Sequence, residues 1–291
     1  MFIFLSGVIW QSQSGSSATH HQSSSPIILW HGDMEEGTLY DWFYDDPPNA
    51  GGGVFNTGGD DVTARASTFV AHTGRYSAEA TITNAYRVQD GSRAVRLMRW
   101  TDKAWHHGGD YFPADAYYST WIYFPTTYNV NKYDPWDPGD GGWWNVFQFK
   151  SRDSNNESQP IWTLNVSHDD NNGTMYFYLY SKYNTPASWQ QTDPIPLPVG
   201  QWFHVEARYL QSADGNGRIT FWQDGVQILD ANNVNTILET NAVWGIGNYT
   251  DHIVGGEVDG TATLYFDDAM VTTQRIYTPP TNHPVFLIIR K

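Results

Sequence analysis

The chain has 291 residues, enough for one large domain with a well-buried core, and a second domain is not required. It contains no cysteine, which excludes disulfides, a thiol nucleophile and cysteine metal sites. A formal net charge of −15 argues against nucleic acid as a partner, because such binding relies on Lys and Arg against phosphate. For the same reason an anionic ligand would need a local basic patch.

Residues 1–10 (MFIFLSGVIW) are apolar but too short to anchor stably across a bilayer. Residues 11–25 are rich in Ser, His and Gln, with Ala18 a small residue near a cleavage point. Residues 1–26 therefore read as a signal-like segment and linker, which predicts a secreted protein. No other stretch is apolar enough for stable membrane insertion. Charged residues are only 16% of the chain and aromatics another 16%, a composition that suits a β protein outside the cell.

From Ile27 onward, short alternating runs are separated by Gly, Asn, Asp and Pro clusters. Strands are predicted at 75–83, 94–100, 117–124, 144–150, 161–167, 174–181, 202–210, 217–223, 242–248 and 262–271. Asp224-Gly225 is a two-residue hairpin signal. No window holds a helical period. So many strands without helices predict an all-β fold, a jelly-roll β-sandwich of two antiparallel sheets over 27–275, with a short tail at 276–291. The chain is expected to act as a monomer.

Alternation assigns faces within two strands. Phe147 and Phe149 share one face, and Gln148 and Lys150 the other. Met175, Phe177 and Leu179 point one way, while Tyr176, Tyr178 and Tyr180 point the other. A surface of tyrosines and amides suits a sugar chain, whose rings stack on aromatics and whose hydroxyls pair with polar groups. The plainer alternative is that tyrosines tolerate a half-exposed sheet. Trp143 lies in a Trp- and Gly-rich stretch and could wall a groove or cover the core. Residues 87–103 hold five cations (Arg87, Arg93, Arg96, Arg99, Lys103) against two acids, a local patch that can attract an anion or pair with neighbouring Asp residues.

An ordered series of segments resembles the heparin-lyase-I-like and alginate-lyase-like polysaccharide lyases. It comprises Gly74-Arg75-Tyr76-Ser77-Ala78-Glu79, the 93–100 strand, Trp121-Ile122-Tyr123-Phe124-Pro125, Phe147-Gln148-Phe149-Lys150, Gly200-Gln201-Trp202-Phe203-His204, and stretches 218–225, 244–249 and 264–268. The resemblance spans roughly residues 28–273. Lys150 stands where the alginate-lyase pattern has His, and the 93–99 strand lacks that pattern's Glu.

The resemblance implies an anionic, uronate-containing polysaccharide as substrate, cleaved by β-elimination. A proton is removed next to the uronate carboxylate and the glycosidic oxygen is expelled. A hydrogen-bonding or cationic group must hold the carboxylate, a role that falls to Gln148 with one of Arg93, Arg96 or Arg99. The first candidate base is Tyr249, assisted or replaced by His106 or His107, with Lys150 supplying the nearby charge a tyrosine base requires. Lys150, Tyr176, Tyr178, Tyr180 and Trp143 would contact the polymer. The resemblance also implies a structural Ca²⁺ at the neighbouring first and last strands, with Glu35 and Asp268 as oxygen ligands. Two other functions go with the same fold: a non-catalytic carbohydrate-binding module, which the aromatics also suit, or a glycoside hydrolase, which would need two flanking carboxylates in a chain with few glutamates.

Overall fold

A computed structural model of the protein describes residues 26–43, 52–86, 91–100, 112–130, 143–169, 171–255, 258 and 260–277. In chain order the strands are β1 (Ile28–Gly32), β2 (Gly52–Thr57), β3 (Val62–Ser67), β4 (Ser77–Ile82), β5 (Arg93–Trp100), β6 (Asp115–Tyr123), β7 (Tyr128–Asn129), β8 (Trp144–Arg152), β9 (Ser158–Asp169), β10 (Thr174–Tyr180), β11 (Ser188–Trp189), β12 (Trp202–Leu210), β13 (Gly217–Gln223), β14 (Val226–Val234), β15 (Thr240–Thr250), β16 (Val254–Gly255) and β17 (Ala262–Thr272). Two single-turn 3-10 helices are the only helical pieces among the described residues.

One sheet runs β14-β13-β12-β6-β17-β4-β3, with β1 also paired to β17. The other runs β11-β10-β9-β8-β15-β5-β2. Every pairing in both sheets is antiparallel. The two sheets face each other across one core, the all-β sandwich expected from the strand pattern. Between β13 and β14, Asp224 (φ 47°) and Gly225 (φ 77°) both adopt left-handed backbone, the pair of positive φ values that a tight hairpin requires.

Large rings fill the space between the sheets, Trp42, Trp144, Trp162, Trp244, Tyr118 and Tyr209 among them. Phe149 of one sheet stacks on Tyr209 of the other at 3.9 Å between centroids and 5° between planes. One polar group spans the same layer. The fully buried Asn248 accepts a hydrogen bond from Trp144 Nε1 at 2.9 Å and donates through Nδ2 to the carbonyls of Ala80 (3.0 Å) and Ala262 (2.8 Å). Asn248 thus ties β15 to β4 and β17 across the sandwich, and so fixes the strand on which Tyr249 is the next residue.

Candidate active site

The outward face of the β11–β2 sheet carries the candidate site. Strand register sets its grid. Gln148 on β8 lies opposite Gly245 on β15 and Thr163 on β9, and Thr163 lies opposite Tyr180 on β10. In a neighbouring row Tyr249 lies opposite Asn145, Asn145 opposite Asn165, and Asn165 opposite Tyr178. Gly245 and Gly247 carry no side chain into the space between β5 and β8. A Cβ on Gly247 would collide with the Val95 carbonyl oxygen, so glycine is required where β15 crosses β5 so closely.

A groove of about 450 Å³ opens on this face. Trp143, Asn145, Gln148, Pro160, Ile161, Thr163, Asn165, Tyr178, Tyr180, Lys182 and Tyr249 line it. Among these described residues none is Asp or Glu, so they do not supply the paired carboxylates a glycoside hydrolase needs.

Gln148 and Tyr249, assigned from the sequence to carboxylate binding and proton removal, share this groove. Trp143 packs edge-on against Tyr249 with centroids 4.6 Å apart. The Arg96 guanidinium sits 5.1 Å from the centroid of the Tyr249 ring. It is held by Nη2 donating to Thr57 Oγ1 at 2.7 Å and Nε donating to the Phe55 carbonyl at 3.3 Å. Burial lowers the pKa of Arg96, and the neighbouring Tyr249 opposes that shift. Lys150 occupies the same face opposite Val243. Its pKa is lowered by burial first, then by the charges of Arg96 and Arg152. Burial pushes the Tyr178 phenol up to about 12, so it faces the groove as a neutral hydroxyl at neutral pH.

Other residues expected at the site go elsewhere. Arg93 and Arg99 leave on the opposite face of β5 from Arg96, as period-two alternation demands of positions three residues away. Arg93 Nε pairs with Asp61 at 3.0 Å. Arg99 is buried, donating to the Asp41 carbonyl at 3.3 Å with its guanidinium 5.0 Å from the Trp30 ring. Neither is available to a ligand in the groove. Tyr176 lies opposite Ser167, one step along β10 from Tyr178 and beyond the groove lining. His106 and His107 lie outside the described residues.

Asn145, Thr163, Asn165 and Lys182 line the groove without having been singled out in the sequence. Lys182 continues the spacing of Tyr176, Tyr178 and Tyr180, and that alternation alone points to it. Asn145 carried no such signal. A β-bulge between Asn145 and Phe147 leaves Val146 and Phe147 both in the core, so Asn145 shares a face with Gln148, where simple alternation would oppose them.

The predicted Ca²⁺ ligands meet at one turn. Glu35 accepts hydrogen bonds from the backbone N–H groups of Arg75 (2.9 Å) and Tyr76 (2.8 Å). Asp268 accepts from Thr73 Oγ1 at 3.0 Å and pairs with His72 Nδ1 at 2.6 Å and His31 Nε2 at 3.5 Å. Both carboxylates are thus engaged by protein donors of the 72–76 segment. Among the described residues no group of three or more His, Asp or Glu side chains is arranged to hold a metal.

The sequence pattern of the polysaccharide lyase family matches residues 31–270. Among solved structures, an endo-β-1,4-glucuronan lyase from the fungus Trichoderma reesei superposes with a TM-score of 0.57 at 15% identity, covering 85% of this chain and 96% of that one, which shows a shared fold. The cellulose-induced protein Cip1 gives a TM-score of 0.48 at 14% identity, covering 85% of this chain and 99% of that one. The alginate lyase Aly36B gives 0.43 at 13%, covering 78% and 98% respectively. A search of curated proteins finds no match. With a family pattern running through residues 31–270, including every strand that lines the groove, the chain belongs to the polysaccharide lyase family.

Proposed function

We propose that this protein is a secreted lyase that cleaves a uronate-containing polysaccharide by β-elimination in the groove of the β11–β2 sheet. The observation that carries this reading is the meeting of Gln148 and Tyr249 in one groove, with the Arg96 guanidinium against the Tyr249 ring. The glucuronan lyase that shares the fold acts on a polymer of this chemical class.

The groove crosses β15, β8, β9 and β10, whose spacing is about 4.8 Å per strand. A pyranose ring advances a sugar chain by a similar step, so a polymer lying across the strands places successive rings over successive strands. Tyr178 and Tyr180 offer ring faces and hydroxyls to the distal sugars, and Lys182 offers a cation.

The chemistry needs three events at the sugar over Tyr249. Gln148 donates a hydrogen bond to the uronate carboxylate, which takes up charge as the proton leaves the adjacent carbon. Tyr249 is the base that accepts that proton, with the Arg96 guanidinium facing its ring. The electron pair released from the C–H bond forms the ring double bond, and the bond to the glycosidic oxygen breaks with its pair. That oxygen then receives the proton back from Tyr249, which returns the residue to its starting state.

The test is incubation with alginate, glucuronan and glycosaminoglycans, reading the ultraviolet absorbance of the unsaturated product. At least one polymer is expected to give signal. Silence on all of them with retained polymer binding would overturn the lyase reading and leave a carbohydrate-binding module. A structural Ca²⁺ on the Glu35–Asp268 turn belongs to the same proposal. Its support is the convergence of two carboxylates from the two ends of the fold on one turn.

A further inference from the structure

We infer that Asn145 is a second amide donor to the substrate carboxylate, working beside Gln148 on the same strand. The inference rests on the lyase reading and deepens it. Asn145 lines the groove yet is only 3% exposed, and its Nδ2 has no hydrogen-bond partner. Buried amide donors are ordinarily paired, because leaving one unpaired costs stability. The neighbouring amides obey that rule. Asn165 Nδ2, directly across on β9, donates to Thr163 Oγ1 at 3.0 Å, and Asn248 Nδ2 donates to two carbonyls. Among the described residues that line the groove, Asn145 is the one left with a buried polar atom unpaired. An unpaired donor in a binding groove is what a site presents when its partner is the ligand.

Its placement names the ligand atom. Asn145 lies directly opposite Tyr249, and Gln148 follows three positions along β8. Val146 and Phe147, between them, both turn into the core. No side chain therefore stands between the two amides on the groove face. A carboxylate has two oxygens, and both gain charge when the adjacent carbon loses its proton. Two neutral amides on one rigid strand give each oxygen a donor, next to the residue that takes the proton. Amides suit this role because they bind the charged carboxylate without forming an ion pair that would hold the ground state too tightly.

The experiment compares wild type, Asn145→Ala and the isosteric Asn145→Asp on the uronate polymer that wild type cleaves best. It also measures inhibition by a short oligomer of that uronate and by its carboxyl-reduced, neutral counterpart. For Asn145→Ala, kcat/KM is expected to fall about 100-fold, the scale of losing one donor to developing negative charge. Inhibition by the acidic oligomer should weaken about tenfold while inhibition by the neutral one stays unchanged, a difference of about 1.4 kcal/mol. Tm should not fall, since no protein hydrogen bond is lost. Asn145→Asp, which sets a carboxylate against the substrate's own, should lose more activity than Asn145→Ala. Wild-type kcat/KM in Asn145→Ala, equal weakening toward both oligomers, or a Tm that falls in step with activity would each overturn the inference. Those outcomes leave the lyase reading standing if wild type is active, whereas an inactive wild type would sink the lyase reading itself.

Discussion

Arg96 faces the ring of Tyr249 at 5.1 Å, while Arg93 and Arg99 on the same strand are committed to Asp61 and to the Asp41 carbonyl. One strand thus divides three arginines between the Tyr249 ring and the scaffold. The division makes opposite predictions for the three. Arg96→Ala should lower kcat/KM by about 100-fold, and Tyr249→Phe by about 1,000-fold or more, within the range for a lost acid–base group. Arg93→Ala should leave kcat/KM near wild type and lower Tm instead. Product absorbance and thermal melts on the same preparations check all three.

A second expectation concerns acid stability. His204 lies on the outer side of the other sheet, stacked on Tyr277 with centroids 5.0 Å apart. Its pKa is pushed down to about 3, by burial first and then by the positive charges of His72 and Arg275. An unfolded histidine takes up its proton near pH 6.5. Between about pH 6.5 and about pH 3 the unfolded chain therefore binds a proton that the folded one refuses, and stability falls as pH falls through that window. His204→Phe keeps the ring and removes the titration. Its Tm should decline less steeply than that of wild type below pH 6.5. Parallel Tm curves would contradict this.

The Asn248 bridge gives a third expectation. Asn248→Ala strands the Trp144 indole N–H and the carbonyls of Ala80 and Ala262 in the core. The loss should be about 3 kcal/mol or more in unfolding free energy, read by chemical denaturation. Activity should fall as well, because the strand that carries Tyr249 loses its anchor.

Chelation tests the turn shared by Glu35 and Asp268. If Ca²⁺ is a resident ligand, a chelator should lower Tm, added Ca²⁺ should restore it, and Asp268→Asn should abolish the response. An unchanged Tm after chelation assigns the turn to its protein hydrogen bonds alone.

Much of the architecture was legible because it depends on local pattern. The alternation of Phe147, Gln148, Phe149 and Lys150 gave the correct faces, and Asp224-Gly225 gave the correct hairpin. Placing Gln148 and Tyr249 at one site came from resemblance, and in the structure both line one groove from neighbouring strands. The three arginines were grouped by composition, although the same alternation rule, applied to positions 93, 96 and 99, separates them. Asn145 was beyond reach of that rule. A bulge changes the count of residues along one strand relative to its neighbour, and only the paired structure shows it.

That bulge makes one-residue deletions in this stretch unequal. On β8 two successive side chains, Val146 and Phe147, point into the core. Removing Val146 would delete one apolar side chain and restore plain alternation, so Trp143, Trp144 and Asn145 would keep their faces. Removing Asn145 instead would leave the bulge in place, move Trp144 into the outward position and turn Trp143 inward. The same loss of one residue is absorbed at the bulge and exchanges the inside of the protein for its outside one position away.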